Sequence, residues 1–254
     1  MTDNNKQLLS PIEQLREIVN TYDNIVFFGG AGVSTESGIP DFRSVDGLYH
    51  QQFDYPPETI LSHSFYRSNP GEFYRFYRQK MLFLSAKPNA AHVKLAQLEA
   101  QGKVRAIITQ NIDGLHQAAG SKKVFELHGS VLRNNCMKCK SFYDVNFILD
   151  SGKEGESAVP VCPKCGGMVK PDVVLYEEGL DNDVIEGAVN AIATADTLII
   201  GGTSLNVYPA ASLIHYFRGN TIVLINKSPT SADSLAQLVI SEGIGQVLGQ
   251  IEVR

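Results

Sequence analysis

The sequence lacks the features that mark membrane proteins and most nucleic-acid-binding proteins. It contains no run of about 18 uncharged apolar residues, the length that spans a bilayer, and no apolar segment follows a basic start. Basic residues are not in excess, because 22 Lys and Arg stand against 27 Asp and Glu, for a net charge of -5. We therefore expect a soluble cytoplasmic protein with no membrane partner and no nucleic-acid partner. The oligomeric state stays open.

Cysteine is scarce, and its four residues are arranged in two CxxC pairs. Cys136 and Cys139 form the first pair, Cys162 and Cys165 form the second, and 22 residues separate the pairs. Two such pairs at this separation place four thiolates for a tetrahedral zinc ion, and four protein ligands leave no open position for chemistry. We predict one structural zinc ion. The alternative is two unrelated reduced or redox-active pairs.

Four short apolar runs alternate with helical patterns along most of the chain. The runs are residues 25–28, 104–109, 197–200 and 221–225. Such an alternation predicts an α/β fold with a Rossmann-like parallel sheet and helices on both faces. A first helix is predicted over residues 11–20, with Ser10 as its N-cap and proline in its first turn.

Two segments depart from this alternation. Residues 43–86 are rich in aromatic side chains and mostly helical in pattern, and residues 129–170 contain all four cysteines. We expect the helical insertion and the four-cysteine zinc ribbon to pack together as a smaller domain. The larger, Rossmann-like domain would then consist of residues 1–42, 87–128 and 171–254.

A glycine turn, Gly29-Gly30-Ala31-Gly32, follows the first apolar run. Backbone N–H groups in such a turn can approach a pyrophosphate closely, which predicts a nucleotide site; the alternative is a tight turn without a ligand. An ordinary dehydrogenase is disfavoured for two reasons. Thr35 stands where the fingerprint has its third small residue, and Gly38-Ile39-Pro40 interrupts the helix that should follow.

Three further loops follow predicted strands. The segment QNIDGLH follows the second run and carries four polar or ionisable side chains: Gln110, Asn111, Asp113 and His116. Residues 201–205 and Asn226 follow the third and fourth runs. Because the carboxyl ends of parallel strands meet at one edge of a sheet, we expect these loops to form a single ligand site.

His128 lies between residues 124–127 and the cysteine-containing insertion. A solitary histidine is more often a structural residue than a catalyst. The junction between two domains is a preferred place for a cleft, however, and imidazole titrates near neutral pH, as a general base must. This location favours a catalytic role.

Taken together, these motifs resemble those of sirtuins, the NAD-dependent protein lysine deacylases. The shared motifs occur in the family's order: GAGVSTESGIPDFRS, TQNIDGLH, ELHGS, the two CxxC pairs, GTSLNVYPA and the IN pair that ends in Asn226. The resemblance extends from about Tyr22 to the C-terminus. It implies that the larger domain binds NAD as a co-substrate. An acetyl group would pass from acetyl-lysine to ADP-ribose, which releases nicotinamide, O-acetyl-ADP-ribose and free lysine.

The resemblance also implies roles for individual residues. His128 would accept a proton from a ribose hydroxyl, and Asn111 and Asp113 would orient the reacting groups. The residues that would contact NAD are Gly30, Ala31, Gly32, Thr35, Phe42, Arg43, Gln110, Ile112, Asp113, His128, Gly202, Thr203, Ser204 and Asn226. The PDFR segment, residues 40–43, would form a flap over the nicotinamide side, which explains the helix breaker there.

An acetylated protein would bind as an extended strand along one segment of the cleft, and the residues in contact with it would be Val174, Leu175, Tyr176 and Glu178. The family's Phe-Gly-Glu here reads Tyr176-Glu177-Glu178, so that a side chain and a negative charge replace a glycine.

The resemblance to sirtuins also predicts which acyl group this protein removes. Those that remove succinyl or malonyl groups carry a Tyr and, three residues on, an Arg, whereas here Tyr74 is followed by Tyr77. A carboxylate buried without a charged partner is costly, so we predict neutral acyl groups, acetyl first. Arg75 and Arg78 lie close enough in sequence to leave the question open.

The sequence leaves three alternatives to deacetylation. The chain could be a deacylase for longer neutral acyl groups or a mono-ADP-ribosyltransferase that uses the same pocket. It could also be a binding module in which the zinc ribbon holds nucleic acid or protein. The net negative charge, the QNID segment and His128 disfavour the last of these.

Overall fold

The structure is a computed structural model that describes residues 9–41 and 55–252. In this part of the chain nine β-strands are formed: β1 (Ile25–Gly29), β2 (Val104–Thr109), β3 (Val124–Glu126), β4 (Gly129–Cys136), β5 (Phe142–Asp144), β6 (Val169–Val173), β7 (Thr197–Gly201), β8 (Thr221–Ile225) and β9 (Leu238–Ile240). The same residues form nine α-helices: α1 (Pro11–Thr21), α2 (Pro57–Ile60), α3 (His63–Ser68), α4 (Pro70–Lys80), α5 (Ala90–Ala100), α6 (Leu115–Ala118), α7 (Val145–Ser151), α8 (Asn182–Thr194) and α9 (Ile244–Gly249).

The larger sheet has six parallel strands in the order β3-β2-β1-β7-β8-β9. Its four central strands are the four predicted apolar runs, and the predicted Rossmann-like fold class is confirmed. The strands β1 and β7 are buried at every residue, as expected for a parallel sheet covered on both faces. The edge strands β3 and β9, which have only three residues each, were not predicted.

Side chains of β1 alternate between two apolar layers. Phe27 packs in the layer that contains Leu15 of α1 and Leu95 of α5. Phe28 packs on the opposite face, in the layer that contains Ile192 of α8. Burial of a phenylalanine contributes about 1.5–3 kcal/mol, so the two layers together fix the sheet between its helices.

Helix α1 begins where the sequence predicts. The Ser10 side chain accepts a hydrogen bond from the backbone N–H of Glu13, and the Glu13 carboxylate accepts one from the Ser10 backbone, which is a capping box. The helix ends at Thr21, one residue beyond the predicted range.

A smaller antiparallel sheet has the order β5-β4-β6. One apolar cluster joins this sheet to the helices of residues 57–80, with Tyr66 and Phe73 packed alongside Val131 and Val169. The Tyr74 hydroxyl donates a hydrogen bond to the Val169 carbonyl across the same boundary. The exact residues at which one domain gives way to the other stay a prediction.

The register of the larger sheet aligns four strand ends. Gly29 of β1 is paired with both Thr109 of β2 and Gly201 of β7, and Gly201 is paired with Ile225 of β8. The loops that follow these strands therefore start at the same edge of the sheet.

No helix within the described ranges combines the length and apolar character needed to cross a bilayer.

Candidate active site

A cleft of about 780 Å³ opens at this edge of the larger sheet. One wall is formed by the loops after β1, β2, β7 and β8, and the other by residues 173–178 at the end of β6. Its volume lies in the range of ligand sites. The residues predicted to contact NAD or the peptide, or to act in catalysis, line this cleft wherever the structure describes them: Gly30, Ala31, Gly32, Thr35, Gln110, Asn111, Ile112, Asp113, His128, Val174, Leu175, Tyr176, Glu178, Gly202, Thr203, Ser204 and Asn226. Phe42 and Arg43 lie outside the described residues.

The glycine turn after β1 packs directly against the turn after β7. The Gly32 N–H donates a hydrogen bond of 2.8 Å to the Gly202 carbonyl. A Cβ at Gly32 would lie 2.8 Å from the Gly202 Cα, and one at Gly202 would lie 2.4 Å from the Val33 nitrogen. Side chains at these positions would separate the two turns. The turns therefore form one continuous backbone surface in the cleft, as a diphosphate requires.

The turn is followed by two short 3-10 helices, Ala31–Val33 and Thr35–Ser37, and not by a long crossover helix. This agrees with the prediction that Gly38-Ile39-Pro40 interrupts the helix. The Thr35 hydroxyl donates to the Gly32 carbonyl at 3.0 Å, which stabilises the turn. The amide of Gln110 donates to the Thr203 hydroxyl at 3.0 Å and links the loops after β2 and β7.

Ser34 connects the glycine turn to the two residues predicted to orient the reaction. Its hydroxyl donates to Asp113 Oδ2 at 2.6 Å and accepts from Asn111 Nδ2 at 3.0 Å. Asp113 Oδ1 accepts from the Leu115 N–H at 2.9 Å, so both carboxylate oxygens are held. Ser34 is only 1% exposed. Ser34 is not among the predicted site residues, because no spacing rule connects it with Asp113, which lies 79 positions away.

His128 is held in one tautomer by the backbone. Its Nδ1 lies 2.9 Å from the Gln110 carbonyl oxygen, which can only accept, so Nδ1 carries the proton. In the neutral ring, Nε2 is then free to accept a proton. Burial lowers the pKa of His128 from its ordinary value, and the hydrogen bond to Gln110 offsets part of this effect. The ring is therefore neutral at neutral pH, as a general base must be.

His116 does not join this site, and the suggestion that all four polar side chains of QNIDGLH act together was wrong. Its side chain is 1% exposed, and its ring lies 4.7 Å from the His92 ring and 6.1 Å from the Phe27 ring. Burial lowers the pKa of His116 to about 3, with a smaller contribution from His92. The turn into α6 directs this side chain into the apolar layer under the sheet.

The opposite wall of the cleft is an extended segment that is hydrogen-bonded to both sides. The Val174 N–H donates to the His128 carbonyl, the Tyr176 N–H donates to the Leu61 carbonyl, and the His63 N–H donates to the Tyr176 carbonyl. These bonds fix the wall relative to His128 and to the helical insertion.

Glu178 stabilises the wall of residues 173–178 through three contacts of its carboxylate. Its carboxylate accepts from the Leu175 N–H at 2.9 Å and from Lys170 Nζ at 3.0 Å, and His63 Nδ1 lies 2.8 Å away. Burial opposes ionisation, but the hydrogen bonds with His63 and Leu175 and the charge of Lys170 lower the pKa of Glu178 below its ordinary value. Glu178 therefore acts as a charged anchor for the wall.

The four cysteines cluster beside the small sheet, where Cys136 is the last residue of β4. Their sulfur atoms all lie within 4.8 Å of one another, with Cys136 and Cys165 at 3.4 Å and Cys139 and Cys162 at 3.7 Å. A tetrahedral zinc ion with Zn–S bonds of about 2.3 Å requires sulfurs roughly 3.8 Å apart, so this donor set fits zinc. All four positions are protein ligands, and the predicted zinc site is confirmed as a cluster that can hold one ion.

Comparison with known proteins agrees with this geometry. A profile of the Sir2 family matches residues 30–209, which include Gly30 to Gly32 of the glycine turn, His128 and all four cysteines. The chain belongs to the Sir2 family.

A Sir2-family relative from Clostridium perfringens (strain 13 / Type A), named NAD-dependent protein deacetylase, is 62% identical over 243 residues, or 94% of this chain and 98% of its own. Two solved structures are also similar. One, a Sir2 with p53 peptide and NAD+, has a TM-score of 0.83 and 38% identity. The other, a Sir2 variant with deacetylated p53 peptide and 3'-O-acetyl ADP ribose, has a TM-score of 0.87 and 37% identity. Each comparison covers 93% of this chain and 95% of that structure's chain.

Tyr74 and Tyr77, the two tyrosines on which the prediction of the acyl group depends, both lie in helix α4. Both are fully buried, in the apolar cluster that joins the helical insertion to the small sheet, and neither lines the cleft. Arg78 is held by the carbonyls of Ile148 and Ala158.

Proposed function

We propose that this chain is an NAD-dependent protein lysine deacetylase, which transfers the acetyl group of acetyl-lysine to ADP-ribose. The observation that carries the proposal is the state of His128. The Gln110 carbonyl holds the proton on Nδ1, burial keeps the ring neutral, and Nε2 is left as a base in a cleft that two glycine turns line. The similar protein from C. perfringens carries this activity in its name.

NAD would bind along the loops at the ends of β1, β2, β7 and β8. Gly30, Ala31 and Gly32 offer backbone to the diphosphate, and Thr203, Ser204 and Asn226 supply polar side chains or backbone nearby. NAD supplies the bond between ribose and nicotinamide that is broken in the reaction. Release of nicotinamide leaves positive charge on the sugar, which a dry site with oriented dipoles stabilises.

The Asn111 amide and the Asp113 carboxylate would provide this orientation. Both are fixed by Ser34 and both border the cleft within the loop that follows β2. As nicotinamide leaves, the amide oxygen of acetyl-lysine would bond to the anomeric carbon. His128 would then remove a proton from a ribose hydroxyl, so that the hydroxyl attacks the acyl carbon, and addition of a water molecule would release the lysine amine. The products would be nicotinamide, O-acetyl-ADP-ribose and free lysine.

The substrates would be acetylated proteins of the cytoplasm. An extended peptide fits the wall of residues 173–178, where backbone pairing gives recognition that tolerates many sequences. The contacts proposed for it are Val174, Leu175, Tyr176 and Glu178. The flap proposed for residues 40–43 would close over the nicotinamide side.

We also propose that neutral acyl groups are preferred, acetyl first. Tyr77 occupies the position of the arginine that would pair with an acidic acyl group, and its side chain is fully buried. The Arg78 guanidinium donates hydrogen bonds to the carbonyls of Ile148 and Ala158. Lys80 lines the cleft, so the decisive test is a direct comparison of acetyl and succinyl forms of one peptide. Faster removal of succinyl would overturn this preference.

The activity is tested by incubation with NAD and an acetylated peptide, followed by mass spectrometry of the small-molecule products. We expect nicotinamide and acetylated ADP-ribose in equal amounts. His128→Ala should abolish the acetylated ADP-ribose, because this base acts after nicotinamide has left, whereas His215→Ala, which removes an exposed histidine away from the cleft, serves as the matched control. Transfer of ADP-ribose to protein without loss of acetyl would instead identify an ADP-ribosyltransferase.

A further inference from the structure

Glu177 adopts a backbone conformation that glycine usually occupies. Its φ is 76°, in the left-handed region, where a side chain is disfavoured. The residue belongs to the wall of residues 173–178, and it lines the cleft. A glutamate in this conformation must be held there by its surroundings.

The side chain of Glu177 is held by one residue of the helical insertion. Its Oε2 accepts from the Ser64 N–H at 2.9 Å, and its Oε1 accepts from the Ser64 hydroxyl at 2.9 Å. Both bonds come from neutral donors, so they fix the position of the carboxylate without cancelling its charge. The strain of the backbone is offset by the same two bonds.

The neighbouring acids differ from Glu177 in having cationic partners. Glu178 is paired with Lys170 at 3.0 Å, and Asp172 is paired with Arg133 at 2.8 Å. Within residues 9–41 and 55–252, no ion pair involves Glu177. Among the described residues, the wall against which a peptide would lie therefore carries one carboxylate that is fixed in position, borders the cleft and has no cationic partner.

We propose that Glu177 is a specificity-determining residue that favours acyl-lysine peptides with an arginine or lysine next to the acylated residue. This inference rests on the proposed deacetylase function. An acylated lysine is neutral, so any selection by charge must come from the flanking residues. A partly solvated charge pair is weak, and the expected preference is a few-fold, about five-fold in kcat/KM for arginine over glutamate at low salt.

Four acetylated peptides test the inference, one with alanines on both sides of the acetyl-lysine and the others with arginine, glutamine or glutamate beside it. The readouts are kcat/KM from nicotinamide release and peptide Kd from fluorescence anisotropy. In the unaltered protein the arginine peptide should exceed the glutamate peptide about five-fold. Glu177→Gln keeps an acceptor for Ser64. In this variant the kcat/KM values for the arginine and glutamate peptides should lie within two-fold of each other.

Two controls separate charge from structure. Glu154→Gln removes an exposed acid of the small domain that does not line the cleft, and it should keep the five-fold ratio. Raising the ionic strength from about 0.02 M to about 0.5 M should reduce the ratio in the unaltered protein, because the Debye length then shortens to well under 10 Å. If the ratio of the arginine peptide to the glutamate peptide changes neither at high salt nor in Glu177→Gln, the inference is overturned.

The outcomes also separate this inference from the proposed function. Turnover of the alanine peptide with no difference among the charged peptides would leave the deacetylase in place and refute the role of Glu177. Absence of nicotinamide release with every peptide would overturn the proposed function and this inference with it. A preference for the glutamate peptide would contradict the role of Glu177 alone.

Discussion

Removal of the Ser34 hydroxyl should impair catalysis as well as folding. In Ser34→Ala, Asp113 Oδ2 loses a donor at 2.6 Å and Asn111 Nδ2 loses an acceptor at 3.0 Å. A hydrogen bond to a charged group contributes about 1.5–3 kcal/mol and a neutral one about 0.5–1.5 kcal/mol, so the total at risk is roughly 2–4 kcal/mol. Because both partners border the cleft, we expect about half of this loss, about 1–2 kcal/mol, in the transition state, which lowers kcat/KM about 5- to 30-fold.

The assay is nicotinamide release at several NAD and peptide concentrations, combined with thermal unfolding of the same variant. Ser37→Ala is the matched control, because the Ser37 hydroxyl contacts Asn89 Nδ2 at 3.0 Å and does not touch the loop of Asn111 and Asp113. It should lower stability slightly and leave kcat/KM within two-fold. The reasoning is refuted if Ser34→Ala also stays within two-fold, since Ser34 would then support neither side chain in the reaction.

Three other predictions concern titration and the metal. Burial lowers the pKa of His128, so kcat/KM should fall only below pH 6.5; a midpoint at pH 7 or above in the pH profile would contradict its role as base. Cys139→Ser should remove one zinc ion per chain, measured by metal analysis, and should lower the melting temperature. Retention of zinc together with an unchanged melting temperature would argue against the site. Burial lowers the pKa of His92 to about 4 and that of His116 to about 3, so below pH 6.5 the unfolded chain binds protons that the folded one does not. Stability in urea should therefore drop by about 4 kcal/mol from pH 7.5 to pH 5, and His116→Phe should remove about half of this slope; an unchanged slope would refute the assignment.

The fold was predictable where burial is complete. Strands β1 and β7 are covered on both faces, so their sequences are unbroken apolar runs that stand out from their surroundings. Strand β9 has three residues, one of them exposed, and carries no comparable pattern. Its place at the sheet edge depends on pairing with β8 and cannot be obtained from local sequence.

The site was predictable where strands end. Register aligns the carboxyl ends of the central strands, so each loop that follows one of them reaches the same cleft. What the sequence could not give is the direction of each side chain within a loop. Asp113 faces the cleft and His116, three residues later, faces the core, although both were plausible site residues.

The position of His128 depends on the residue that follows it. Gly129 has a φ of 76°, and a Cβ there would lie 2.0 Å from the Asp172 carbonyl oxygen, so any other residue would force β4 and β6 apart. The chain leaves the larger sheet at Glu126, places His128 in the cleft, and enters the smaller sheet at Gly129. Close pairing of β4 with β6 also carries Val174 to the His128 carbonyl. The glycine of ELHGS thus holds the base and the peptide wall at one fixed separation, which explains in physical terms why the motif contains both residues.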